Sequence, residues 1–158
     1  MGNIELVYGG IELLDYVKPL WEKLNKHHIE NSIHFSDRFK KFTFDFRRGL
    51  LEEKALRGKI KVILAKDNEN DIYIGYCISS IVKSTVDENM YGEIESIFVE
   101  NNYRKYGIGD MLMKRTLDWM DENNVATKHI IVAAGNEQVI SFYERYGFYV
   151  KTLKLEQK

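Results

Sequence analysis

Two glycines one residue apart, Gly107 and Gly109, follow a basic pair, Arg104 and Lys105, where an apolar segment gives way to helical spacing. The N–H groups that open a helix have no partner within it, and the helix dipole is positive at that end. Glycine lets a backbone approach an anion closely, and turn residues aim successive N–H groups inward. The stretch from Val99 to Gly109 therefore suits a diphosphate. A tight turn would equally account for Gly-x-Gly taken alone, since short glycine motifs recur by chance. The dinucleotide fingerprint fails because Leu112 stands where its third glycine belongs. A Walker-type phosphate loop fails because Asp110 and Met111 follow Gly109.

Four other features could carry chemistry. Glu93 and Glu95 interrupt an otherwise apolar strand pattern, Tyr91 to Val99. Period-two geometry puts both on the face of Ile97 and Val99 unless a bulge intervenes. Buried carboxylates are costly unless they face a cleft or are paired, so a general base and a lysine-paired or solvated strand end are both open readings. Asn136 stands before a helical segment, as a helix cap would. His27, His28 and His34 form no spacing with carboxylate or cysteine that suggests a metal, and read as a solvated helix end. Cys77 is a small apolar residue inside a strand pattern rather than a nucleophile.

These residues must be held by a definite order of elements. Ile4–Val7 reads as a strand stopped by Gly9 and Gly10. Ile11, Leu14, Val17, Trp21, Leu24 and Ile29 recur at helical spacing, with Pro19 as the weak point. A second helix is predicted from Ser36 to about Leu56, burying Phe39, Phe42, Phe46, Leu50 and Leu51, with Gly58 as its stop. Lys59–Lys66 and Ile72–Val82 form a hairpin, and Tyr91–Val99 continues the meander. A helix opens at the glycines and carries Ile108, Met111, Leu112, Arg115, Trp119 and Met120. A buried strand over Lys128–Ala134, a helix over Asn136–Tyr146 ended by Gly147, and a last strand over Phe148–Leu155 complete the series. The order predicts one α+β domain over residues 1–158 with a mixed, mostly antiparallel sheet.

Composition narrows the class. With 23 basic and 24 acidic residues the net charge is −1, which favours neither nucleic acid nor an anionic membrane. One cysteine allows no internal disulfide, and no apolar run approaches the roughly 20 residues of a membrane span. The amino-terminal residues lack the charge and apolar run of a signal peptide, so a soluble, cytoplasmic protein is expected.

Arg104-Lys105-Tyr106-Gly107-Ile108-Gly109 resembles the Arg/Gln-x-x-Gly-x-Gly/Ala signature of the GNAT superfamily of N-acetyltransferases. Ile97 to Tyr103 is similar to that family's fourth strand and connector, and Asn136 to Phe148, with Phe142-Tyr143-Glu144-Arg145-Tyr146-Gly147-Phe148, resembles its second conserved block. The resemblance implies acetyl-coenzyme A (acetyl-CoA) as cosubstrate and no metal. Its pyrophosphate would lie on the main chain of Arg104, Lys105, Tyr106, Gly107, Ile108 and Gly109, with Asp110 opening the helix. Its pantetheine arm would lie along Ile97, Phe98 and Val99, in a split between the fourth and fifth strands, with Asn136 and Phe142 against the cofactor. Tyr143 would protonate the departing thiolate, and Glu95, or Glu93, would serve as base, directly or through water. The implied reaction is direct transfer to a primary amine of a small molecule or peptide through a ternary complex. A route through an acetylated Cys77 is disfavoured. The family often forms homodimers, although no feature here fixes an interface. A non-catalytic acyl-CoA-binding sensor would need the loop but neither Tyr143 nor a strand carboxylate, and a different nucleotide-binding protein is a third reading.

Overall fold

The computed structural model describes residues 2–158. Five strands lie in sequence order across one open sheet: β1 Ile4–Gly9, β2 Gly58–Asp67, β3 Ile72–Lys83, β4 Met90–Val99 and β5 Thr127–Ile130. The first three pairings are antiparallel and the β4–β5 pairing is parallel. Parallel neighbours need a crossover, which α4, Ile108–Glu122, supplies.

Both faces of the central strands are covered, which explains their continuous apolar runs. On one face Val62, Leu64, Tyr76, Ile78 and Phe98 pack against α1, Leu14–Asn31, and α3, Phe44–Arg57. On the other, Ile63, Ala65, Cys77, Ile94 and Val99 pack against Ile108, Leu112, Met113 and Met120 of α4 and Tyr143 of α5, Ile140–Glu144.

Four expectations are corrected. The second helix divides into α2, Ser36–Lys41, and α3. The Thr43 hydroxyl accepts the Phe46 N–H at 3.2 Å and starts a new helix. The Phe42 N–H closes the end of α2 on the Phe39 carbonyl at 3.2 Å, and the Asn25 side chain donates to the carbonyls of Phe39 and Phe42 at 3.0 and 3.3 Å. The break rotates the stripe, so Phe44 and Leu51 are buried whereas Phe46 is 58% exposed. The strand expected over Lys128–Ala134 is shorter and earlier, and Ile131 is 80% exposed. Residues 148–158 form no strand, because alternation supplies no hydrogen-bonding neighbour. Their course brings Glu156 within 2.8 Å of Arg38 on α2. The helix expected over Asn136–Tyr146 is a 3-10 turn, Glu137–Val139, followed by α5, and Gly147 ends it at φ +84°.

Helix α4 holds the loop that precedes it, so its packing is a test of the frame. Leu112→Ala removes a fully buried side chain between α4 and the sheet. The expected cost is about 2–5 kcal/mol in urea denaturation, and a loss under about 1 kcal/mol would contradict this packing.

Candidate functional site

Strand β4 carries one residue too many for its neighbour. Ile78 faces Ser96 and Ser79 faces Ile94, leaving Glu95 without a partner on β3. This bulge corrects the expectation that Glu93 and Glu95 share a face with Ile97 and Val99. Ile94, Ile97 and Val99 belong to the α4 side, while both carboxylates reach α3. The parallel ladder to β5 ends at Ile94 opposite Ile130, immediately before the bulge. Beyond it the strands part, and the edge of β4 from Glu95 to Val99 has no strand on the β5 side.

The wedge opens into a cavity of 640 Å³. Ser96 and Ile97 form one lip, Ile131, Val132 and Ala133 the other, and Tyr143 and Asn136 lie between. Trp21, Phe39, Phe42 and Leu50 supply apolar wall from the helices above.

Beside the wedge stands the amino end of α4. Gly107 adopts φ +73°, the left-handed region that glycine enters freely, and no side chain caps the helix. Its first turn closes through the Met111 N–H and the Gly107 carbonyl, 3.0 Å apart, which leaves the N–H groups of Ile108, Gly109 and Asp110 without helical partners. A Cβ at Gly107 would meet nothing within 4 Å, so the loop faces open space. These features fit an anionic group on main-chain N–H donors. The Arg104 side chain is used otherwise: its Nε donates to the Val99 carbonyl at 2.9 Å, and its guanidinium lies over the Phe98 ring. Lys105 and Tyr106 are exposed in the same loop.

The two sequence blocks meet across α4 and α5. A Cβ at Gly109 would touch the Phe142 ring at 3.4 Å, so the glycine lets that ring close against the loop. Asp110 accepts hydrogen bonds from Arg145 and from the Tyr146 hydroxyl. The Tyr146 bond and the Arg145 ion pair hold its carboxyl below the usual range, although partial burial opposes them.

Asn136 makes no capping hydrogen bond, contrary to that reading. Its Oδ1 lies 3.1 Å from Nε2 of His27 and accepts from Gln138 at 2.8 Å. His27 also engages Asn31, His28 leans on Phe39, and His34 packs near Phe35. Among the described residues no group of three His, Cys, Asp or Glu could hold a metal ion.

Glu93 and Glu95 are both ion-paired. Lys54 donates to the two carboxylates, Arg47 reaches Glu95 Oε2 at 3.0 Å, and the Ser80 hydroxyl donates to Glu95 at 2.6 Å. The His129 ring stands 3.5 Å from Glu93. That His129 contact, with Lys54, outweighs burial and holds Glu93 at about 2. Burial disfavours the charged form of Lys54, but the hydrogen bonds to both carboxylates raise its pKa above the usual value. Arg47, Leu51 and Lys54 lie at i, i+4 and i+7 of α3, so two cations on a buried stripe were the signal for this pairing.

Tyr143 is 7% exposed, and burial raises its pKa, so the phenol keeps its proton at neutral pH. Burial pushes the Cys77 thiol up to about 12, against the opposing bond from Thr116, and thiolate chemistry is closed to it.

A model of the acetyltransferase (GNAT) family matches residues 21–148, which include both motif blocks and the wedge between them. The chain belongs to the GNAT acetyltransferase family. Among curated proteins it is similar to the ribosomal protein bS18-alanine N-acetyltransferase of Escherichia coli, 32% identical over 59 residues. That match takes in 37% of this chain and 40% of the relative's length. Two solved structures with the GNAT fold are close in shape. A ribosomal-protein-alanine N-acetyltransferase from Brucella melitensis has a TM-score of 0.69 at 15% identity, over 99% of each chain. An aminoglycoside N-acetyltransferase in complex with CoA has a TM-score of 0.72 at 15% identity, over 100% of this chain and 96% of the other. No helix among the described residues is long and apolar enough to cross a membrane.

The paired carboxylates bear on acid stability. Glu93 falls from an ordinary 4.5 to about 2, so its contribution is complete above about pH 4.5 and is lost as pH falls toward 2. At roughly 1.4 kcal/mol per pH unit the contribution is about 3 kcal/mol. Glu93→Gln should flatten the stability curve over that window in denaturation at pH 3 and pH 6, and an unchanged acid limb would contradict the pairing.

Proposed function

We propose that this GNAT protein is an N-acetyltransferase that transfers the acetyl group of acetyl-CoA directly to a primary amine of a small molecule or peptide. The observation that carries the reading is the uncapped amino end of α4 beside the wedge where β4 and β5 part. When bound, the thioester supplies an activated acetyl carbonyl. The main chain of Arg104, Lys105, Tyr106, Gly107, Ile108, Gly109 and Asp110 would hold the pyrophosphate, and the free edge of Ile97, Phe98 and Val99 the pantetheine arm. N–H groups on that edge would also stabilise the carbonyl oxygen as charge develops. Phe142, closed against Gly109, and Asn136, held by His27, would flank the cofactor.

Tyr143 would protonate the departing sulfur, and its burial in the cavity wall supports that role because the phenol stays protonated. Neither Glu93 nor Glu95 is a free base in this arrangement, since Lys54 and Arg47 already neutralise them. The aromatic wall of Trp21, Phe39 and Phe42 supports an acceptor amine with an apolar body. The named activities of the bS18-alanine and aminoglycoside relatives support an amine acceptor in general.

The test is acetyl transfer to a panel of amines by purified protein, with CoA affinity measured in parallel. Tyr143→Phe should retain CoA affinity and lower kcat by about 100-fold or more. CoA binding without turnover on any amine would favour the acyl-CoA sensor instead. Preference for free ATP or NAD over CoA in thermal-shift measurements would favour a nucleotide-binding protein.

A further inference from the structure

With both strand carboxylates ion-paired, the proton that must leave the acceptor's ammonium needs another destination. The cavity wall holds one further side chain suited to take it. We propose that His28 is the catalytic base of this site, a role that rests on the acetyltransferase reading above.

His28 is half-buried on α1 and lines the same cavity as Tyr143 and Ser96. Its ring lies 5.2 Å from that of Phe39, centroid to centroid, which fixes its plane against the aromatic wall. Among the described residues its ring nitrogens make no hydrogen bond and no ion pair, whereas its neighbour His27 is engaged by Asn31 and Asn136. The charged and titratable groups around the cavity are Arg47, Glu53, Lys54 and Arg57 of α3, Glu93 and Glu95 of β4, and Tyr143 of α5. None stands within ion-pair distance of His28, so nothing there stabilises an imidazolium. Burial, and then the adjacent His27, lower its pKa below the ordinary 6.5. At neutral pH the ring is uncharged and carries a free lone pair.

The comparison with the carboxylates is one of basicity. An alkylammonium releases its proton near pH 10, and Glu93, held at about 2, is a poor acceptor for it, while Glu95 is already engaged by Lys54, Arg47 and Ser80. The His28 imidazole lies in the same cavity with no hydrogen-bond or ion-pair partner among the described residues. The balance is as follows. The ammonium gives one proton to His28, and the freed amine forms a C–N bond to the acetyl carbon. The C–S bond breaks, and the sulfur takes the Tyr143 proton. The nitrogen's second proton restores the Tyr143 phenol, while His28 returns its proton to solvent. The products are the amide, the free thiol and one proton.

Two small amines separate a base from a structural residue. Ethylamine is charged at pH 7 and must be deprotonated, whereas hydroxylamine is uncharged there. His28→Gln should lose about 100-fold or more in kcat/KM with ethylamine and less than about 3-fold with hydroxylamine, at unchanged KM for acetyl-CoA. In the unaltered protein, kcat/KM for ethylamine should fall as pH drops through a midpoint below 6.5. Equal losses with both amines, no loss with either, or the selective loss appearing in Glu95→Gln instead would overturn the assignment. Transfer to neither amine by the unaltered protein would overturn the acetyltransferase reading, and this one with it. A measurement on the unaltered protein guards against a variant that does not fold. The ring-proton NMR titration of His28 must show a midpoint below 6.5, and a midpoint above 7 would overturn the proposal.

Discussion

The extra residue in β4 is the constraint on which the rest of the site depends. A parallel ladder survives only while two strands keep the same spacing and twist. Glu95 breaks that match one residue beyond the last β4–β5 pair, Ile94 with Ile130. The strands then diverge, and main-chain groups that a sheet would satisfy face a cavity instead. The same bulge brings Glu93, Glu95 and Ser96 to one side of the sheet while Ile97 and Val99 keep their places under α4. One inserted residue thus opens the cleft and gives it a charged floor.

That floor is electrically balanced. Glu95, whose side chain is 5% exposed, is tied to Arg47, Lys54 and Ser80, and Glu93 to Lys54 and His129. Two carboxylates so close would repel if both were ionised and unpaired, and Lys54 between them removes the conflict. The arrangement keeps both carboxylates engaged by cations from α3, and it lowers the basicity of Glu93.

The loop and the second motif are mechanically joined. Gly109 admits the Phe142 ring, Asp110 holds Arg145 and Tyr146, and Tyr143 faces the cavity from the same short helix. On the opposite rim, a Cβ at Gly135 would come within 2.3 Å of the Asn31 carbonyl, so the end of α1 presses directly on the loop carrying Asn136. His27 and Asn136 meet through this approach. The site is therefore gathered from separate parts of the chain: α1, the free edge of β4, the start of α4, the loop after β5, and α5.

Local chemistry was legible in the residues. The turn at Gly107 and the helix after it follow from glycine's access to positive φ and from the apolar period that starts at Ile108, and the family blocks around them name the fold. Strands β2 and β3 were equally plain, because a segment covered on both faces must be apolar throughout. What residue types left open was settled by neighbours. Period two could not place Glu93 and Glu95, since a bulge is defined by register against β3. Thr43 marked a new helix only once Asn25 was available to satisfy the carbonyls beside it. Alternation from Phe148 to Leu155 suggested a strand, yet a strand exists only with a partner. Lys54 and Arg47 looked like ordinary helix cations until the sheet put two carboxylates beneath them. The sequence by itself determined the turn, the helix that follows it and the β2–β3 hairpin, because those depend on contacts between neighbouring segments of the chain. Only the tertiary structure decided which side chains face the cleft and which are already paired, because those depend on contacts between elements distant along the chain.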